Sequence, residues 1–302
     1  MKVILSRKGL DSAAGGGASY ITSNGDLIWI PIPETDSVGH STTYQAIQTK
    51  FGNLGNFVAP LWIRQNGHKQ YLRPQSKAHL DPDLCCTSLP RKTGWIAAFG
   101  QRTPSAVHLL DRHVHRGALF LFYGWFRDAC TAFPIPRRVR GIDSHCAPMG
   151  RSLHVIFGYL QVERCYKGEE TGALMATSPA LCDHPHLNLP RVNMPNNRLY
   201  ISTDRLQIDG LCKSLPGAGV FVFDQRRCLT AAGEHRRSHW RLNGWRKTNN
   251  IQPQFDRDAG AFIGWTPHGV CDWDVINHGY GQEFAIDTKT HPDVLKWVLT
   301  LF

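Results

Sequence analysis

A chain of 302 residues, 42% hydrophobic and 19% charged, is long and apolar enough to fold around a sizeable core, which excludes a disordered or fibrous protein. A formal charge of +10 points to a polyanionic partner, because each Lys or Arg seated on a phosphate releases condensed counterions. No apolar run reaches bilayer length, and nine cysteines without a Cys-x-x-Cys pair argue for a reducing, cytoplasmic setting.

In chain order, Lys2–Leu5 predicts a first strand. The loop Ser6–Ser19 follows, carrying Arg7, Lys8, Asp11 and Gly15–Gly17. Its glycines let backbone N–H groups approach an anion, and Arg7 and Lys8 supply charge, but the order is not that of a P-loop. Asp11 is the loop's sole carboxylate, hence a candidate base or metal ligand, and an ordinary flexible turn is the alternative. Asp26–Ile32 predicts a second strand entered through an Asn24-Gly25 turn, and Thr43–Lys50 a short helix.

His79, Asp81 and Asp83 alternate, so an extended segment would turn all three to one face. Oxygen ligands suit Mg²⁺ or Mn²⁺ and the imidazole extends the range to transition metals, which makes these three the candidate ligands of a divalent ion. Two neighbouring carboxylates could equally share acid–base work, and the structural alternative is a Pro-rich turn whose aspartates cap backbone amides.

Trp95–Phe99, Ala118–Tyr123 and His154–Val162 are the clearest strands, continuous apolar runs that imply burial on both faces. The pair Gly117–Tyr123 and Gly158–Val162, within a region 93–170, resembles the core of PUA-like barrels, whose pockets take RNA or modified DNA bases. Cys182, His184 and His186 are zinc-type ligands without a matched second pair, so His184 and His186 stand as candidates for an acid or a ligand. Asn197–Ser202 and Gly219–Phe223 predict further strands.

The segment 226–247 holds Arg226, Arg227, Arg236, Arg237, Arg241, Arg246 and Lys247 against one acid, Glu234, with Trp240 and Trp245 interleaved. Guanidinium groups hold phosphates and indoles stack on bases; the alternative is core tryptophans beneath a solvated basic face. Thr290–Phe302 predicts a C-terminal helix capped by Thr290. The whole predicts an α+β protein, a strand-rich mixed sheet or partly closed PUA-like barrel with few helices, in one large domain 1–302.

Taken as a set, Val3–Gly9 with Asp11-Ser12 and Gly15-Gly16, His79–Leu84, Phe99-Gly100-Gln101, Leu119–Arg127, His184-Pro185-His186, Asn196-Asn197 and Gly281–Phe284 resemble the nucleotide modification associated domain 3 family of bacteria and phages. The resemblance implies a role near DNA base modification or modified nucleotides, with no established reaction to carry over. Leu10 stands where an aromatic is expected, Ala118 where an acid is expected, and Leu242–Trp245 lacks an expected proline. The resulting expectation is a protein that binds or acts on a base in a pocket, with DNA favoured over RNA or a free nucleotide. The alternatives are a non-catalytic reader of modified bases and an enzyme acting on free nucleotides. Asp11, Asp81, Asp83, His184 and His186 are the catalytic candidates, and Arg7 and Lys8 the anion stabilisers.

Overall fold

The computed structural model describes residues 1–11, 17–34, 42–59, 61–65, 68–102, 106, 109, 113–129, 149–187, 194–242, 262–268, 272–277 and 283–302. Its strands are β1 (Lys2–Arg7), β2 (Ser19–Ile21), β3 (Leu27–Ile28), β4 (Gln48–Thr49), β5 (Gly52–Asn53), β6 (Trp62–Gln65), β7 (His68–Tyr71) and β8 (Ala98–Gln101). They continue as β9 (Leu119–Asp128), β10 (Met149–Lys167), β11 (Arg198–Ser202), β12 (Ala218–Val220), β13 (His239–Leu242), β14 (Phe262–His268), β15 (Asp272–Asn277) and β16 (Glu283–Asp287). Among the described residues the helices with defined bounds are few: α1 (Gly55–Val58), α2 (Glu169–Thr177) and α3 (Pro292–Leu301).

A mixed sheet in the order β16-β1-β9-β10-β11-β8 forms the centre, with β12 paired to β10 and β2 to β9. The apolar run of β9 is buried on both faces, as its unbroken hydrophobicity predicts. Leu119, Leu121 and Tyr123 join Val3, Leu5, Trp240, Trp273 and the helix residues Val294, Trp297, Val298 and Leu301 on one side. Phe120, Phe122 and Phe126 join Ile4, Phe99, Phe157 and Tyr200 on the other. The positions i, i+3, i+4 and i+7 of α3 supply one buried stripe, each side chain contributing about 1.5–3 kcal/mol.

The sheet curls. Phe99 on β8 lies three strands from Phe120 and Phe122 on β9, a separation of about 14 Å in a flat sheet. Their ring centroids are nonetheless 4.9 and 5.0 Å apart. Among the described residues no backbone pairing joins β8 to β16 or β1, so the architecture is an open mixed sheet rather than a closed barrel.

The same edge of β9 serves two partners in succession. β1 runs parallel to Leu119–Tyr123, and β2 runs parallel to Phe126–Asp128. The chain leaves the sheet between them, after Lys8 N–H donates to the Tyr123 carbonyl at 2.8 Å. Gly124 sits at the gap, where a Cβ would stand 2.8 Å from the Lys8 carbonyl oxygen.

Several elements differ from the sequence expectation. Residues 43–50 form turns and β4 instead of a helix, because Tyr44 and Ile47 anchor a small core with Leu54 and Phe57, and Gln45 N–H goes to the Pro74 carbonyl. The strand expected at Trp95–Phe99 begins at Ala98, and Trp95 turns aside under the Arg91 guanidinium, 4.7 Å from its ring. Helix α3 is preceded by His291, while the Thr290 hydroxyl donates back to the Asp287 carbonyl. No described helix is long and apolar enough to cross a membrane.

A side chain at position 124 meets backbone that cannot swing away. Gly124→Ala is expected to lower the stability of the fold by about 1–3 kcal/mol in urea unfolding. An unchanged midpoint would mean that β1 and β9 stand farther apart here than described.

Candidate functional site

The segment His79–Asp83 turns where the sequence predicts an extended run, as Asp81 N–H donates to the His79 carbonyl at 2.8 Å. Leu80, Pro82 and Leu84 line a cleft on one side. Asp81 lies against the neighbouring strand on the other: Asp83 pairs with Ala98 through both backbone bonds, covering the outer edge of β8. Two residues along, the ladder is completed by a side chain, as Gly100 N–H donates to Asp81 Oδ1 at 2.7 Å.

Three imidazoles surround this buried carboxylate. His184 Nε2 is 3.4 Å from Oδ1, while His186 Nε2 and His79 Nε2 are 3.7 and 3.9 Å from Oδ2. His184 and His186 are delivered by the 3-10 turn Pro185–Leu187, and the His186 ring lies directly on Gly100, where a Cβ would stand 2.1 Å from it. That close approach explains the glycine. Burial pushes the Asp81 carboxyl up, yet the hydrogen bond from His184 and the neighbouring His186 and His79 rings outweigh it and hold the group below its ordinary range. Burial drives His186 down to about 3, which leaves it neutral at physiological pH.

Hydrogen bonds on the far ring nitrogens fix the tautomers. Glu34 Oε2 lies 2.9 Å from His79 Nδ1, so that nitrogen carries the hydrogen. Asn197 donates its amide to the His186 carbonyl at 2.8 Å, which turns its oxygen to His186 Nδ1 at 2.7 Å. His184 is opposite: its Nδ1 accepts the His186 N–H at 3.2 Å, so its hydrogen sits on Nε2, facing Asp81.

A second buried centre lies across β8. Glu283 Oε1 accepts from Lys8 Nζ at 2.9 Å, from Ser6 Oγ at 3.3 Å and from Gln101 Nε2. Lys8 Nζ also stands 4.8 Å over the Phe99 ring. Gln101 thus bridges β8 to β16 by side chain where the curled sheet leaves its backbone unpaired.

The remaining predicted residues are placed as follows. Arg7 Nε, half-buried, pairs with the buried Asp11 Oδ2 at 3.0 Å. Asp83 is engaged by Arg91 at 2.5 Å and by the Trp95 indole at 3.4 Å, and burial pushes its carboxyl up despite them. Trp240 is enclosed in the core and donates to His154 Nδ1 at 2.9 Å, leaving no face for a base. Arg237 stacks on Trp125 at 4.1 Å, Arg241 pairs with Asp274 at 2.8 Å, and Arg227 holds the Leu301 carbonyl at 2.9 Å. Arg226 pairs with Asp224 at the surface, and Arg236 is exposed. Trp245, Arg246 and Lys247 lie outside the described residues, as do Ser12 and Gly15–Gly16.

The sequence reading passes over Glu34, Asn197, Gln101 and Glu283 as site residues. Asn197, Gln101 and Glu283 sit inside motifs that carried the family resemblance, while Glu34 has no signal beyond its charge.

Fold and site together define a strand-rich mixed-sheet protein with a buried carboxylate–imidazole centre at one sheet edge. The chain belongs to the nucleotide modification associated domain 3 family, whose model matches residues 2–287. No curated protein matches it. No solved structure does either.

Asp81→Ala leaves the buried Gly100 N–H without an acceptor and is expected to cost about 1–3 kcal/mol, whereas Asp81→Asn keeps that acceptor and stays within about 1 kcal/mol of the parent. Equal losses in chemical denaturation would show that the hydrogen bond to Gly100 is not what Asp81 contributes. A pH dependence follows from His154, which burial, aided by Arg237 and Arg7, drives well below its ordinary 6.5. A depressed folded pKa gives stability that is full above the unfolded value and declines as pH falls from it. Thermal stability should therefore drop as pH falls below about 6.5, by up to about 1.4 kcal/mol per pH unit for this group. His154→Gln, which retains an acceptor for Trp240, should make that slope shallower.

Proposed function

We propose that this chain receives a nucleobase, carried on DNA or on a free nucleotide, and acts on it at the Asp81 centre as part of DNA base modification. One observation carries the reading: a buried, ionised carboxylate is surrounded by three imidazoles in a chain of a family named for nucleotide modification. Gathering so many titratable groups away from water costs stability, and such gatherings mark functional sites more often than structural ones.

Asp81 is the group that holds a cation, and His184 keeps it oriented. Lys8, across β8, is the anion stabiliser, balanced by Glu283. Asp11 and Asp83 are engaged by Arg7 and Arg91 and serve as supports. The exposed arginines Arg226 and Arg236, with the net charge of +10, draw in phosphates.

A second reading, a reader of modified bases without chemistry, has its own observation. The cleft on the far side of His79–Asp83, about 340 Å³, is walled by Trp29, Phe51, Phe157 and Phe221 and is of a size and character to stack a base.

Binding to labelled duplex DNA, with and without modified bases, across a salt series, followed by mass spectrometry of the recovered nucleosides, separates the two. An altered nucleoside with the parent chain and none with Asp81→Asn is the expected result. Unaltered DNA, bound with a log–log salt slope of about 0.9 per phosphate contacted and a preference for modified bases that Phe51→Ala removes, replaces it with the reader. No binding of DNA or nucleotides at low salt would sink both.

A further inference from the structure

We propose that His79, Asp81 and His186 bind one divalent transition-metal ion, of the class that includes Zn²⁺ and Fe²⁺. The inference deepens the functional reading above and rests on it for the ion's purpose. Its basis is a convergence of acceptors. His79, Asp81 and His186 each offer one ligand atom within 4.8 Å of the others, and both Nε2 atoms face Asp81 Oδ2. With the hydrogens of His79 and His186 held on Nδ1 by Glu34 and Asn197, both Nε2 atoms present lone pairs. Two imidazole nitrogens and a carboxylate oxygen thus face one another, an arrangement that a cation can bridge.

The surrounding groups fit the same purpose. An imidazole that binds metal through one nitrogen nearly always donates its other N–H to a carboxylate or carbonyl, which is what Glu34 and the Asn197 oxygen accept. The carboxylate–imidazole separations of 3.7 and 3.9 Å compare with about 3.4 Å for the edge of a tetrahedron with bonds of about 2.1 Å, so small side-chain shifts close it. Two imidazoles and a carboxylate serve both hydrolytic zinc and oxygen-handling ferrous centres, and they leave coordination positions for water or substrate. His184 is excluded as a ligand: its Nδ1 accepts a backbone hydrogen, so its Nε2 holds a proton. That buried Nε2 lies 3.4 Å from Asp81 Oδ1 and steadies the oxygen that the ion does not use. Asp83, tied to Arg91, is not in the set, which replaces the sequence expectation of His79, Asp81 and Asp83 with His79, Asp81 and His186.

The test is metal binding by the full-length chain after chelator stripping, with Zn²⁺ in air, Fe²⁺ under anaerobic conditions, and Co²⁺ as a spectroscopic probe. One ion per chain and cobalt bands of a nitrogen–oxygen site are expected. His186→Ala and Asp81→Asn should each weaken binding at least 100-fold, and the outer variant Asn197→Ala about 10–100-fold. Asp81→Asn brings an amide donor among the lone pairs and keeps the fold, so its loss of metal is not a folding failure. Substoichiometric binding by the parent chain, or binding that survives Asp81→Asn, overturns the inference. Nucleotide and DNA binding are measured on the same samples. Ligand binding without any metal uptake removes the metal alone, whereas full metal uptake without nucleotide or DNA binding removes the functional reading and leaves the metal standing.

Discussion

The edge of β9 has ten residues of backbone to satisfy, and it meets that demand with two short parallel segments laid end to end. From this constraint the site follows. β1 must stop at Arg7 for β2 to begin, so the chain leaves the sheet with Lys8 at the point of exit, opposite a glycine that lets the two backbones approach. Lys8 is thereby turned over Phe99 toward Glu283, and the charge pair bridges to Gln101 at the far edge of the curl. An ion pair this buried is a poor source of stability, since desolvation takes back most of the Coulomb gain. It fixes instead how tightly the sheet curls.

That curl brings β8 to where the imidazoles meet it. Ala98 and Gly100 carry the backbone groups that pair with Asp83 and Asp81, and Phe99 and Gln101 turn inward to the aromatic core and to Glu283. One four-residue strand thus separates a carboxylate–imidazole centre on its outer side from a lysine–glutamate centre within. The absence of a side chain at position 100 lets the His186 ring lie on the backbone, and the Asn197 amide, oriented by its own donation to a carbonyl, sets which nitrogen of that ring keeps a proton.

Much of this was legible in the sequence. The apolar runs of β1, β9 and β10, and the amphipathic end of the chain, declare themselves because burial on both faces or on one stripe writes a periodic signature. The spacing of His79, Asp81 and Asp83 marked them as a group, though the segment turns instead of running extended, and the His184–His186 turn was visible as a cluster of ligand types. Which of these groups meet was not legible, because the meeting is made by β8 and β11, distant in sequence and short. The spacing of Asp83 matched that of Asp81, and only the position of Arg91 separates their roles. Glu34 and Asn197 act through the nitrogen that faces away from the centre, and no local pattern marks such a partner. The same holds in the basic segment, where charge counts do not reveal that Arg241 and Arg226 each find an aspartate, or that Trp240 closes the core.

The bond from Gly100 to Asp81 has a consequence outside chemistry. β8 would otherwise end the sheet as an open edge, and an unpaired edge is a template on which a second chain can add a strand. Asp83 seals it by backbone and Asp81 by side chain, so the same carboxylate that anchors the centre also keeps the sheet from propagating into aggregates. Whatever else the centre does, a side chain at position 81 that cannot accept the Gly100 N–H leaves that edge to be closed in another way.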